Sequence, residues 1–417
     1  MADKLKQIGG GVCAPKGFQS SAVKCGIKNP KSPKLDLALI YSEKPCSAAA
    51  VFTRNRIVAA PVKVSKAHLR SKLPKHAILA NSGNANACAG PHSVDDAREL
   101  AKLTAAELGI RQSQILVGST GIIGQRMPMD RIKGGIPGVV SGLSSGDSDR
   151  AAEAIMTSDT KPKQIAIEVE IGGQKVRIGG IAKGAGMIRP DMATMLAFIT
   201  TDVKIGQNEL IAATREASDE SFNRITIDGD MSTNDTVFVL ANGEAGNRSL
   251  RPGGAESRKF RDALCFIMLE LAKMIVRDGE RVTKFVTVTV SGARTQTCAR
   301  KAAEAVANSS LVKSSWNGND PNWGRVIHAL GYSGASIDET LVDIHFNGLS
   351  AAEHGMTSET PIEDLVTAVS KPEFSVCVDL HLGGASHVVY ASDLSPEYVE
   401  FNRQEYSAAR AKELADD

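Results

Sequence analysis

Thr194 stands where a hydroxyl could act as a nucleophile. The run "KGAGMIRPDMATMLAFITTD" (183–202) passes from a glycine-rich, charged lead into an apolar stretch, and Thr194 sits at the boundary behind the small residue Ala193. A threonine hydroxyl is a weak nucleophile until a base takes its proton. An N-terminal threonine carries that base as its own α-amine, whose unperturbed pKa is about 8. Exposing the amine requires a cut before the threonine, and a small residue in a tight polar loop favours hydroxyl attack on the preceding carbonyl. Ala193-Thr194 meets those requirements. A plainer role fits the same residues: Thr194 opens a buried strand and its hydroxyl caps a loop amide. Read alone, the pair leaves both open.

Other polar stretches share the pattern of small, hydrogen-bonding residues beside apolar runs. They are "NSGNANACAG" (81–90), "GSTGIIG" (118–124), "KGAGMIRPDMATML" (183–196), "DGDMSTNDT" (228–236) and "GNDPNWGRV" (318–326). One such block is usually a turn; five suggest loops gathered around a site where backbone amides and short side chains hold a polar ligand. Familiar alternatives are missing: there is no HExxH, no GxxxxGK[ST] and no GxGxxG between strand and helix. "GLSSG" (142–146) matches GxSxG in letters but lies in a Ser/Gly stretch with no strand before it. The eight histidines are dispersed, with no convincing metal or triad spacing.

The elements that must carry these loops are short strands and fewer, longer helices. "LDLALIY" (35–41), "QILVGS" (114–119), "TVFVLAN" (236–242) and the alternating "FVTVTVSG" (285–292) read as strands. Residues 93–110 read as a helix with Ser93 as N-cap and acids in the first turn. In 256–277, Phe260, Ala263, Leu264, Ile267, Met268, Leu271, Met274 and Ile275 recur every three or four positions, the buried face of a long helix. Residues 141–149 and 242–254 read as linkers. Strands and helices do not alternate regularly, so a layered α+β mixed-sheet fold is expected rather than a doubly wound parallel sheet.

Length and composition agree. The chain has 417 residues, enough for one large or two medium domains. Its formal net charge of +2 and aromatic content of 4% argue against nucleic acid or an anionic membrane as a partner. Seven scattered cysteines with no CxxC pair read as free thiols in a reducing compartment. The opening "MADKLKQIGGGV" has no apolar signal core, and no apolar run reaches spanning length, so a cytoplasmic protein is expected.

Taken together, the blocks resemble the ornithine acetyltransferase family, the bifunctional glutamate N-acetyltransferases of arginine biosynthesis. "APKGF" (14–18), "VFTRNRIVAAPV" (51–62), "NSGNANAC", "GSTGIIG", "AIMTSDT" (154–160), "KGAGMIRPDMATML", "DGDMSTNDT", "MIVRDGERVTKF" (274–285) and "DPNWGRV" occur in the family's order, from about residue 10 to 407. The resemblance implies self-cleavage between Ala193 and Thr194, giving an α chain 1–193 and a β chain 194–417. It also implies an N-terminal-nucleophile-like architecture with a smaller C-terminal α/β subdomain from about 280. Thr194 would take acetyl from N2-acetylornithine and pass it to glutamate by ping-pong transfer. By the same resemblance, Thr120 and Gly121 supply the oxyanion donors; Thr157, Lys183, Thr194, Glu280, Asn402 and Ser407 bind substrate. No metal or organic cofactor is implied, acetyl-CoA is a possible second donor, and α2β2 assembly is expected.

Read without the family, Lys183 is a surface lysine, Thr157 a helix-end cap, Glu280 a solvated acid after a helix, and "GSTGIIG" a tight turn. Three places depart from the family pattern. Asp191 stands where asparagine is commoner, and Met231 where threonine is commoner. In the tail "EFNRQEYSAARAKELADD", Tyr406 falls one place late and the chain runs on to Asp417, so Ser407 is the weaker match. An N-terminal-threonine amidohydrolase, or an uncleaved ligand-binding homologue, are the competing readings.

Overall fold

The computed structural model describes residues 5–189 and 195–404. The chain divides into two compact units: one formed by 1–184, 191–223 and 230–275, the other by 185–190, 224–229 and 276–417.

The first unit is built on a nine-stranded mixed sheet. Its order is Lys6–Ile8, Lys163–Ile171, Gln174–Lys183, Leu196–Thr201, Thr236–Ala241, Leu37–Phe52, Lys75–Asn81 and Ile115–Ser119, with Phe18–Val23 paired to Leu37–Phe52. Two neighbours run parallel, Leu196–Thr201 with Thr236–Ala241 and Lys75–Asn81 with Ile115–Ser119; the other pairs are antiparallel. Alternation puts Leu39, Leu79 and Val117 on one face, where Val64, Leu100 and Ile136 of three helices cover them. Ile40, Ile78, Leu116, Phe198 and Phe238 form another cluster with Ala151 and Ile155. The strand Leu196–Thr201 is buried at every position, as a central strand covered on both faces must be.

The long helix Ala255–Arg277 follows its periodicity: Phe260, Ala263, Leu264, Ile267, Met268, Leu271 and Ile275 are buried, while Met274 is half-buried. Leu271 packs so tightly on the sheet that a Cβ at Gly180 would lie 2.9 Å from its Cδ1 and 2.6 Å from Ile199 Cδ1.

The second unit holds a seven-stranded sheet, ordered Met356–Thr357, Leu349–Glu353, Asp343–Phe346, Glu373–Asp379, Phe285–Ala293, Ala385–Ser392 and Ile225–Thr226. The alternating valines of Phe285–Ala293 enter a core with Ala299, Val306, Trp316 and Val376, leaving the threonines half-buried.

The α+β mixed-sheet expectation therefore holds; the strands read at 114–119, 236–242 and 285–292 form within a residue of those limits, while the one read at 35–41 runs on from Leu37 to Phe52. Two local readings change. The helix runs Ser93–Leu108 with His92, not Ser93, at the N-cap, because His92 already has near-helical angles (φ −85°, ψ −4°) and its carbonyl starts the ladder. The 141–149 linker is partly ordered: Ser144 exchanges backbone hydrogen bonds with Ser20, and the helix Ser148–Ala154 begins inside it. Ser144 of "GLSSG" is thus a bridge residue with no nucleophile elbow. Among the described residues, no helix is long and apolar enough to cross a membrane.

Candidate functional site

In the first unit, several polar blocks meet at strand ends. Thr120 follows the strand Ile115–Ser119, and its N–H donates to the Asn81 carbonyl at 3.0 Å. Asn81 is held in turn, accepting from Ser119 Oγ at 2.6 Å and donating to the Asn84 carbonyl at 2.9 Å. Asn234 Nδ2 donates to the carbonyls of Ala85 and Ser119 at 2.6 and 2.8 Å, joining three blocks through one amide. Gly121 has φ +132°, and a Cβ there would lie 2.3 Å from the Gly83 carbonyl carbon. The tight turn therefore needs glycine for both conformation and space.

Lys183 ends the strand Gln174–Lys183, opposite Leu196. It is only 2% exposed, so the surface reading fails. Its Nζ donates to Thr157 Oγ1 at 2.7 Å and to Thr120 Oγ1 at 3.4 Å, and lies 3.8 Å from Asp159 Oδ2. Thr157 lies in a bend beyond the helix Ser148–Ala154, half-buried, and its N–H donates to Asp159 Oδ2 at 3.0 Å. It caps no helix end; its hydroxyl serves Lys183.

Asp159 is the hub of this cluster, and reading the sequence missed it. Its carboxylate accepts from Lys163 Nζ at 2.6 Å and from the Gly184 N–H at 2.7 Å. Burial pushes its carboxyl up, but Lys183, Lys163 and the Gly184 N–H outweigh burial and hold it well below the usual carboxylate range.

Asp235, also missed, faces the start of the next strand. Its Oδ1 accepts the Met195 N–H at 2.9 Å, and Thr236 N–H donates to the Met195 carbonyl at 3.0 Å. Burial pushes the Asp235 carboxyl well above its ordinary range, against the pull of the Met195 N–H and the Thr53 hydroxyl. Its Oδ2 is buried with no hydrogen-bond partner among the described residues. Two opposite environments thus hold one aspartate ionised and favour the proton on the other. The "SDT" and "NDT" sequences were the only signal for either: a short acid beside hydroxyls at the end of a polar block.

The second unit positions Glu280 and Asn402. Glu280 lies in the turn after the helix Ala255–Arg277, half-buried, with its N–H on the Ala185 carbonyl at 2.8 Å. Asn402 Nδ2 donates to Glu280 Oε2 at 3.2 Å and to the Tyr398 carbonyl at 2.9 Å. Glu280 is therefore partnered rather than freely solvated. Nearby, Asp228 accepts the N–H groups of Met187 and Ile188 at 2.6 and 2.9 Å, fixing the chain that leads toward residue 190. Ala193, Thr194, Asp191, Tyr406 and Ser407 lie outside the described residues.

The fifth polar block is accounted for within its own unit. Residues 318–326 belong to the second unit, where Asn319 accepts from Lys284 Nζ and Asn322 caps the helix Trp323–Gly331 through the Arg325 N–H. Among the described residues, no group of three or more His, Cys, Asp or Glu side chains is placed to hold a metal ion.

The first-unit cluster places a buried ammonium beside two hydroxyls, with Lys183 at the end of one strand, Thr120 just past the end of another and Thr157 in a bend. Such groups can hold a carboxylate or polarise a carbonyl of a small polar molecule. Comparison with known proteins makes the class specific. The ArgJ family model matches residues 19–408, and the chain belongs to that family. It is 49% identical to the arginine biosynthesis bifunctional protein ArgJ of Geobacter sulfurreducens over 93% of this chain and 98% of that protein. It is 44% identical to the glutamate N-acetyltransferase of Methanocaldococcus jannaschii over 96% of this chain and 99% of that protein. Among solved structures, the Mycobacterium tuberculosis ornithine acetyltransferase complexed with ornithine is 40% identical, matching 45% of this chain and 98% of that chain with a TM-score of 0.41.

Proposed function

We propose that this protein is a glutamate N-acetyltransferase of arginine biosynthesis that moves acetyl from N2-acetylornithine to glutamate. The names of its relatives support the reaction class. The observation that carries the reading to these residues is the buried meeting of Lys183, Thr157 and Thr120, in the same unit as the Asp235 grip on Met195.

The chemistry runs in two stages. In the first, Thr194 Oγ attacks the Ala193 carbonyl, the peptide nitrogen leaves as an amine, and water hydrolyses the resulting ester. This frees the Ala193 carboxylate and the Thr194 α-amine. In the second, that amine takes the Oγ proton as Oγ attacks the acetyl carbonyl. The Thr120 hydroxyl and the Gly121 N–H receive the developing oxyanion. The proton passes to the leaving ornithine amine, and acetyl remains on Thr194 as an ester. The amine of glutamate then attacks the ester and loses its proton to the same base, which returns it to Thr194 Oγ as the acetyl–Oγ bond breaks, and N-acetylglutamate departs.

Lys183 and Thr157 suit the α-carboxylate common to both substrates. Glu280, with Asn402 and Ser407, suits the ornithine amino group. None of these steps calls on a metal or organic cofactor. Acetyl-CoA as a second donor, α2β2 assembly and a cytoplasmic location belong to the same proposal.

Intact mass spectrometry of the wild type and of Thr194→Ala tests it, with the wild type also incubated with N2-acetylornithine alone. Two chains meeting at 193/194, an uncut variant, and one acetyl on the larger residue-194 fragment are expected. An intact wild-type chain without an adduct would return Thr194 to the role of a strand-opening residue. Acetate released without N-acetylglutamate when glutamate is present would favour an amidohydrolase.

A further inference from the structure

The cluster around Lys183 is assembled by a residue to which the reaction scheme gives no part. Three facts single out Asp159. First, its side chain is wholly buried, and each carboxylate oxygen serves two groups. Oδ1 takes Lys163 Nζ and the Gly184 N–H, while Oδ2 takes the Thr157 N–H and faces Lys183 Nζ. Second, those partners come from separate pieces of chain: the bend at 157–160, the strand beginning at Lys163, and the Lys183–Gly184 corner. Third, Asp159 holds both members of a contact it does not itself make, the 2.7 Å bond from Lys183 to Thr157 Oγ1.

A buried carboxylate that fastens a loop to a strand end by its backbone, and a lysine by its charge, has a defined effect on that lysine. Lys183 and Lys163 both approach Asp159 and repel each other; the carboxylate between them offsets the repulsion. Asp159 thus aims the Lys183 ammonium and sets a counter-charge 3.8 Å from it.

We infer that Asp159 is a positioning residue for acetyl transfer, locking Lys183 against Thr157 and Thr120 so that its ammonium meets the carboxylate of the incoming amino acid in one fixed place. This rests on the reading given under Proposed function.

The test is Asp159→Asn in the full-length enzyme, with kcat and KM for N2-acetylornithine and glutamate followed across pH. The amide keeps the size and an acceptor oxygen but loses the charge. Expected are a fall in kcat/KM on the order of a hundredfold, mostly through KM for both substrates, and a basic limb displaced to lower pH as Lys183 loses its proton more readily. Activity within threefold of wild type, or a fall without displacement of that limb, overturns the proposal; the latter marks Asp159 as structural only. If the amide variant does not fold, Lys163→Met decides. Removing the competing cation leaves the carboxylate to Lys183, so the basic limb moves to higher pH; an unmoved limb overturns the proposal. A wild type that neither cuts itself nor transfers acetyl defeats the functional reading instead, before Asp159 comes into question.

Discussion

Each unit buries lysines, and Lys183 of the first differs from Lys313 and Lys284 of the second in what it faces. In the second unit, Lys313 Nζ donates to the Ser392 carbonyl, and Lys284 Nζ to the Val369 carbonyl at 2.7 Å and to Asn319. Most of these partners are fixed acceptors, carbonyls of the main chain and one side-chain amide; the one hydroxyl, Ser392 Oγ, is buried and lies 3.5 Å from Lys313 Nζ. In the first unit, Lys183 faces two hydroxyls and the edge of a carboxylate, and one of those hydroxyls belongs to half-buried Thr157. Hydroxyls can rotate and trade partners, so an arriving anion can enter such a group without stranding a main-chain acceptor. Burial alone does not single out Lys183; the proposed role turns on the kind of partner it has.

The sharpest test of that contrast pairs two substitutions. Lys183→Met is expected to lower kcat/KM on the order of a thousandfold, whereas Lys313→Met leaves it within a factor of two per folded molecule. Steady-state rates on protein of matched circular dichroism decide it; equal losses would erase the distinction. Next in size, Gly121→Ala must push the turn away from Gly83 and adopt a positive φ. A rate loss of about a hundredfold and a stability loss of about 2–4 kcal/mol in urea melts are expected. Asp393→Ala in the second unit strips the acceptor from the Thr283 and Lys284 N–H groups, the Thr283 hydroxyl and Asn317. It should cost roughly 3 kcal/mol of stability while leaving the rate per folded molecule unchanged.

The smallest effect is a pH dependence of stability. Burial pushes Lys313 down to about 8, although Asp393 and Asp228 pull the other way. The folded state then binds fewer protons than the unfolded chain between about 8 and the ordinary lysine value. The burial penalty is therefore fully present below about 8 and is relieved as pH rises toward that value, a gain of up to roughly 3 kcal/mol. Urea unfolding at pH 7 and pH 10 should show the wild type gaining from this group and Lys313→Met losing that share of the slope. An identical slope in the two proteins would mean that Lys313 is not the group responsible.

The outline of the fold could be read from the sequence because its strongest elements carry their own periodicity. The valines of Phe285–Ala293 and the three-and-four spacing of Ala255–Arg277 need no knowledge of the rest of the chain. Thr120, Thr157 and Lys183 were named only through family resemblance; their neighbouring residues gave turn, cap and surface. Asp159 was missed because its partners are Thr157, Lys163, Lys183 and Gly184, and only the pairing of Lys163–Ile171 with Gln174–Lys183 brings those together. Asp235 was missed for the same kind of reason: the residue it grips lies forty positions earlier, across a parallel ladder. The polar block 318–326 misled in the opposite direction. Its composition matches the others, but Asn322 and Asn319 serve a helix start and a buried lysine.

The strand Leu196–Thr201 has ladder partners on both sides, Gln174–Lys183 along one edge and Thr236–Ala241 along the other. With the proposed cut at 193/194 made, the two polypeptides would remain woven through one sheet, and neither could leave without tearing open its centre. Before the cut, unfolding and refolding concern one molecule. Afterwards the return journey would require two strangers to meet, so recovery from denaturant would depend on protein concentration, and a cut enzyme would be assembled once from a continuous chain and then kept by its barrier to unfolding.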